Sequence, residues 1–310
     1  MIFNFKFNNL NNFKNNKNME DERPIRPMKP MKETDQNIDY ISLENLPILK
    51  EEQLSQENIS SNLTKMVETP KWKLTFEAMI YFRCVNKQNP SLIKNIIPQL
   101  VKYLIKLSNS IRSGISKESI ILVGEILHNF VCENPEDLET IKQLLNILIQ
   151  CASSNKKFIK DTSNELIQNG IIKNKNYLNL ETICIIIDLM KDKKSSVCEI
   201  CFNVYEQMIK SININNNDIS DNTWNKFFDK INELYSAKKE IYIKKCVKIL
   251  EYFEKTLSKN NFEELLNKLN RNEDIKKYEQ WLILGTKKNS TQMSFKEFMK
   301  TKKGFGLENK

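Results

Sequence analysis

The sequence is poor in glycine. Six glycines in 310 residues is about 2%, against a usual share of about 7%. Phosphate-cradling loops, tight hairpins and turns with φ > 0 all draw on Gly, so nucleotide-binding α/β folds, P-loops and small barrels are excluded at the outset. Histidine is scarcer still: His128 stands alone, which removes most of the usual general-base and zinc-ligand repertoire. No metal site and no cofactor are expected. No run approaches 18 uninterrupted apolar residues, so no membrane-spanning helix is expected. The N-terminal stretch lacks the continuous apolar run and small-residue cleavage site of a secretory signal.

Cysteine is present but unhelpful to chemistry. The seven cysteines form an odd set, and most sit in apolar stretches, as Cys184 does between Ile183 and Ile185; there Cys acts as a small hydrophobe. They read as reduced thiols in a cytosolic-type compartment. Cys198 and Cys201 make a CxxC, yet with no second pair and no nearby His they read as structural thiols, not as zinc ligands. With no nucleophile elbow, phosphate loop or ligand cluster either, the expectation is a protein without enzymatic activity and without a small-molecule substrate.

What is abundant is helical periodicity. Ile96, Ile97, Leu100, Val101, Leu104 and Ile105 recur three to four residues apart, as do Ile141, Leu144, Leu145, Leu148 and Ile149, which is the mark of amphipathic helices. Helices are expected at 48–67, 72–88, 91–107, 113–132, 136–151, 156–169, 176–191, 195–210, 219–236, 238–257 and 261–284, the last broken near Arg271. Asn89-Pro90-Ser91 and Glu133-Asn134-Pro135 mark boundaries, since Pro is tolerated in a first turn and not mid-helix.

Three zones follow. Residues 1–42 form a polar, proline-punctuated tail with too few apolar groups to offset chain entropy. Residues 43–285 hold the helical stretches. Residues 286–310 form a second tail, with seven Lys against two Glu. Of the net charge of +9, little then belongs to the helical zone, so nucleic acid is not an expected partner.

The helices come in pairs, and the second helix of each pair opens alike. An aliphatic or aromatic residue is followed by a small residue four later and an aliphatic residue, or Tyr in the first case, three after that: Leu74, Ala78, Tyr81; Ile115, Ser119, Leu122; Ile159, Ser163, Leu166; Val197, Cys201, Val204; Tyr242, Cys246, Ile249. Repeats of about 40 to 45 residues built from helix pairs indicate an all-α solenoid of the HEAT/armadillo kind, here of about five to six pairs. One pair cannot bury its apolar face alone, so pairs stack, and the small residue lets neighbours approach.

In such a stack the turns joining the two helices of each pair fall along one edge. Here they are Thr69 to Lys73, Ser108 to Arg112, Ser153 to Lys157, Lys191 to Ser195, and Ser236 to Lys239. Each carries Lys or Arg, and the first carries Trp72. A positive edge with one large aromatic suits an acidic protein surface, the cations steering encounter and the aromatic anchoring it.

The run Pro70-Lys71-Trp72-Lys73-Leu74-Thr75-Phe76-Glu77-Ala78-Met79 resembles the opening of TOG domains. Ser110 to Ser119 with Leu122 to Leu127, and Asn155 to Ser163, are similar to segments of the CLASP-type and axonemal TOG-array proteins. The resemblance spans about residues 45–285. It implies a paddle-like HEAT solenoid, a microtubule-associated role in the cytoplasm at the cytoskeleton, spindle or cilium, and tubulin or microtubules as partner. It nominates Trp72 and Lys73 in the first turn, Arg112 in the second, Lys156 and Lys157 in the third, Lys193 and Lys194 in the fourth, and Lys238 and Lys239 in the fifth. The sequence departs from the family at Thr75, Ser116, Cys198 and Ile243, where basic residues that brace the turns are replaced. The alternative is a generic scaffold that holds a protein partner in its concave groove.

Overall fold

The computed structural model describes residues 41–67, 71–212, 219–237 and 240–290, with side chains described as far as 282. A short 3-10 turn, Glu51–Leu54, precedes α1 (Gln56–Val67) and α2 (Trp72–Gln88). Then come α3 (Ser91–Lys94), α4 (Ile97–Ser108), α5 (Ser113–Asn129), α6 (Pro135–Ala152), α7 (Lys157–Ile167), α8 (Leu180–Leu189) and α9 (Ser195–Ser211). The chain closes with α10 (Asp221–Ser236), α11 (Glu240–Leu257), α12 (Lys259–Lys268) and α13 (Asn272–Ser290). Among the described residues there is no strand.

The pairs are α1/α2, α4/α5, α6/α7, α8/α9 and α10/α11, with α12 and α13 packed on α11. First helices stack on first helices, α4 on α6, α6 on α8 and α8 on α10, and second helices stack α2 on α5 and α5 on α7. The result is the expected all-α solenoid. Its core runs through the stack: Ala78, Ser119, Ser163, Cys201 and Cys246, the five small residues of the repeat, are all completely buried. Two of them also tie a pair together, since the Ser119 hydroxyl donates to the Leu104 carbonyl (3.2 Å) and the Cys246 thiol to the Ile231 carbonyl (3.6 Å).

Local chemistry explains the boundaries. Asn134 caps α6 by accepting from the Asp137 amide (3.0 Å) while the Asp137 carboxylate accepts from the Asn134 amide (3.2 Å), a reciprocal capping box. Asn179 and Ser220 cap α8 and α10 by accepting from the Thr182 and Thr223 amides, without the reciprocal bond. The single helix expected over 91–107 is broken at Asn95 and Ile96, because Pro98 cannot donate to the preceding turn and disfavours helical backbone before it. Likewise α7 ends at Ile167 in a π turn, Gln168–Ile172, and a 3-10 turn, Lys175–Tyr177, precedes α8. At the break near Arg271, Asn270 takes the left-handed conformation (φ 58°) and the Arg271 amide reaches the Leu266 carbonyl (2.9 Å). Asn does there what Gly usually does at a helix end.

Gly124, one of the few glycines, is needed for close approach. A Cβ at this position would lie 2.5 Å from one methyl of Leu166 and 2.9 Å from the other, so α5 and α7 meet over a missing side chain. On an exposed helix Gly→Ala is expected to stabilise by about 1 kcal/mol. Here Gly124→Ala is expected to destabilise by about 1–2 kcal/mol through overpacking, and adding Leu166→Ala is expected to recover part of that loss. Urea unfolding of the two variants checks both, and a stabilised single variant would contradict the packing.

Residues 41–53 are strapped to α2. The Arg83 guanidinium donates to the Ile41 carbonyl (3.0 Å), Lys87 to the Leu43 carbonyl (2.7 Å), and the Tyr81 hydroxyl to the Gln53 carbonyl (2.8 Å). Gln88 bonds both the amide and the carbonyl of Leu49 (2.8 and 3.1 Å). Residues 1–40 and 291–310, which hold most of the two expected tails, lie outside the described residues.

Candidate protein-binding edge

The second helices start in one way, and it is an unusual way. The N-cap residues of α2, α5, α7 and α9 are Lys71, Arg112, Lys156 and Lys194. Their backbone angles nearly coincide (φ −84 to −74°, ψ 94 to 121°). None caps its helix with its side chain, and none of the four helices has an acidic residue in its first turn. Helix starts normally favour Ser, Thr, Asp or Asn with acids nearby, because the exposed amides carry partial positive charge. A cation there is opposed by about 0.3–1 kcal/mol.

The turns themselves share one device. The Ser110 hydroxyl accepts from the Arg112 amide (3.2 Å), the Ser154 hydroxyl from the Lys156 amide (3.2 Å), and the Asp192 carboxylate from the Lys194 amide (2.8 Å). A side chain that bonds the backbone two residues on fixes a tight turn. These three turns, the second to the fourth, therefore present their cations on the same backbone conformation.

Contacts between turns draw them together. The Arg112 guanidinium lies 5.5 Å from the Trp72 ring centre and the Lys73 ammonium 5.8 Å, both within cation–π range. Trp72 is half-buried against the core, while Arg112 is exposed. An open groove of about 490 Å³ spans the second, third and fourth turns, lined among others by Ser110, Ser154, Asn155, Lys156, Lys194 and Ser196. The Asp192 carboxylate accepts from Gln150 (2.7 Å) and the Tyr242 hydroxyl donates to the Asp192 carbonyl (2.8 Å), which joins the fourth turn to α6 and α11.

Of the nominated residues, Trp72, Lys73, Arg112, Lys156, Lys157, Lys193 and Lys194 are thus set on the turns of one edge, and all but Trp72 are exposed. Lys238 and Lys239 lie outside the described residues, as does Pro70. Lys191, in the same fourth turn, faces elsewhere: it pairs with Asp188 (3.0 Å) and with Glu233. Asp188 also takes Lys142 and Lys230, so that α6, α8 and α10 are laced together. Burial would raise the Asp188 carboxyl, but Lys191, Lys230 and Lys142 hold it down to about 2.

Two features of the edge are not in the sequence reading. Ile111 is 95% exposed and Phe158 is 40% exposed, so apolar points alternate with the cations. Ile111 stands out of the helical apolar period in a polar turn, a signal that was there to be read. At the four departures from the TOG pattern, Thr75, Ser116, Cys198 and Ile243 are all buried; the Ser116 hydroxyl donates to the Ser108 carbonyl (2.5 Å), bracing the second turn without a charge.

Among the described residues no group of three or more His, Cys, Asp or Glu is placed to hold a metal, and no helix is long and apolar enough to cross a membrane. Cys198 and Cys201 are buried, and burial pushes the Cys201 thiol well up.

No protein-family model matches the chain, and no curated protein matches it. Among solved structures it is similar to a designed armadillo repeat protein in complex with the peptide (KR)4, at 15% identity over 73% of this chain and 98% of that one, with a TM-score of 0.35. An engineered protein from the Northeast Structural Genomics Consortium is similar at 16% identity, 74% and 96% coverage, and a TM-score of 0.33.

Proposed function

We propose that this chain is a non-enzymatic scaffold that docks an acidic protein surface on its turn edge, and that the partner is tubulin, free or in microtubules. The observation that supports it is the repeated cationic N-cap: Lys71, Arg112, Lys156 and Lys194 hold one conformation at the starts of the second helices of four successive pairs. The C-termini of α4, α6 and α8 end at the same edge, so helix dipoles largely offset each other and the positive potential comes from side chains. Four cations at positions that helix stability disfavours are explained by a surface used for binding, since local rules are broken where function requires it. The resemblance of the Trp72 segment to TOG domains is what narrows an acidic surface to tubulin and the setting to the cytoskeleton.

Arg112→Glu is expected to weaken binding to tubulin about tenfold or more at low salt, and Trp72→Glu at least as much. Affinity of the unaltered chain is expected to fall as ionic strength rises through about 0.15 M. Cosedimentation with microtubules and titration of free tubulin measure this, with thermal unfolding as a control because Trp72 also packs on the core. Arg112 is exposed, so an Arg112→Glu chain that is folded and binds as before would sink the proposal. A partner held in the face of the second helices, where Phe202, Tyr205 and Tyr252 line a cleft of about 250 Å³, predicts the converse: edge variants silent, Tyr252→Ala disruptive.

A further inference from the structure

The fourth turn runs Lys193-Lys194-Ser195-Ser196-Val197. Ser196 is exposed in the first turn of α9 and its side chain makes no hydrogen bond among the described residues, while Val197 behind it is buried. It borders the groove that Lys156 and Lys194 line. Two cations stand two and three residues before it, an order that acidic substrate clefts of basic-directed protein kinases read by charge pairing. The other serines at the groove differ. Ser154 has its lysines after it and is engaged with the Lys156 amide; Ser110 has no cation in the three residues before it and is engaged with the Arg112 amide. The first turn of α9 has no side-chain cap, so entry into an extended substrate cleft breaks no cap bond and costs the Asp192 bond to the Lys194 amide and the burial of Val197.

We propose that Ser196 is a phosphoacceptor for a basic-directed serine/threonine protein kinase, and that its phosphorylation releases the acidic partner from the turn edge. The second half rests on the edge-binding reading above. The Ser196 Oγ would attack the γ-phosphorus of ATP, the bond to the β-phosphate oxygen would break, ADP would leave, and the hydroxyl proton would pass to the kinase's base. A phosphoserine carries a charge of about −1.5 to −2 at neutral pH. At the amino end of α9 it is favourably placed by the exposed amides and by Lys156 and Lys194. The same charge cancels about half of the four lysines of the third and fourth turns, Lys156, Lys157, Lys193 and Lys194, that an acidic partner would meet.

The test treats the full chain and its Ser196→Ala variant with Mg·ATP and a purified basic-directed kinase. The site is mapped by mass spectrometry, and affinity is measured for two probes, tubulin and poly-L-glutamate. The expected result is phosphate on Ser196, a melting temperature unchanged or higher, and about tenfold weaker binding of both probes; kinase treatment leaves the Ser196→Ala affinities where they were. Absence of phosphate from Ser196 overturns the site. Phosphate on Ser196 with unchanged affinity for poly-L-glutamate, or a chain that never binds it, overturns the release. If poly-L-glutamate binds and is released while tubulin never binds, the tubulin reading fails and this one stands.

Discussion

Replacing Arg83 by alanine is expected to lower stability by about 3–5 kcal/mol, the cost of leaving a buried ion pair half made. Arg83 is fully buried in α2, and three of its nitrogens are spent on α5. It donates to Glu118 at 2.6 Å and, in a two-pronged fork, to Glu125 at 2.9 and 2.7 Å. It also holds the Ile41 carbonyl. Without it, Glu118, 3% exposed, faces apolar surroundings beside a second carboxylate.

The loss should depend on pH. Burial raises the Glu118 carboxyl above the ordinary range even with Arg83 pulling it down, and removing Arg83 takes away the largest opposing influence. A carboxyl whose folded pKa exceeds its unfolded one binds more protons when folded, so stability falls as pH rises from the unfolded pKa towards the folded one. Arg83→Ala is therefore expected to lose more stability at pH 8 than at pH 5. Urea unfolding at the two pH values decides it; an equal loss at both, or a loss under about 1 kcal/mol, would mean that the carboxylates find other partners. Substituting Met for Arg83 and Leu for both glutamates together should recover most of the loss, since apolar groups of similar volume replace buried ion pairs at little cost.

Phe253→Ala should cost about as much, about 3–5 kcal/mol, at the other end of the stack. Phe253 in α11 is completely buried, its ring 4.7 Å from that of Phe227 and 5.8 Å from that of Trp224, both on α10. The cluster continues through Phe228 to Phe262 of α12 and Tyr278 of α13. In a stack where each unit touches only its neighbours, damage stays local. Hydrogen exchange of the variant is expected to show protection lost first in α10 to α13, with α2, α5 and α7 little changed. Uniform loss along the chain would show that the stack opens as one unit.

Much of this architecture is legible in the sequence. Asn89-Pro90 and Asn134-Pro135 mark helix boundaries because capping and proline geometry are local, and Trp72–Gln88 begins and ends where the periodicity places it. The five small residues are all buried because the spacing of 38 to 45 residues reports the stacking period itself. The Arg83 cluster was not legible as a cluster. A cation between Phe82 and Cys84 in an apolar run was a signal, but its carboxylates come from 35 and 42 residues away, and other acids stand nearer in sequence. The short α3 was missed because apolar spacing continues across Asn95 and Ile96 while proline interrupts the backbone.

What the sequence by itself determined is therefore what short-range forces set: helices, pairing, and a turn device in which Ser or Asp holds the amide of a cation two residues on. Tertiary structure decided which of these local pieces face one another. Arg112 meets Trp72, Lys156 and Lys194 flank one groove, and Lys191 turns back to Asp188, because helix offsets depend on how closely the helices approach, within a pair at Ser119 and between pairs at Gly124. That distance is a property of packed surfaces, to which residues far apart in the chain contribute together. Scarcity of glycine follows the same division: Asn could end α12, but between α5 and α7 a Cβ at Gly124 would press on the Leu166 side chain.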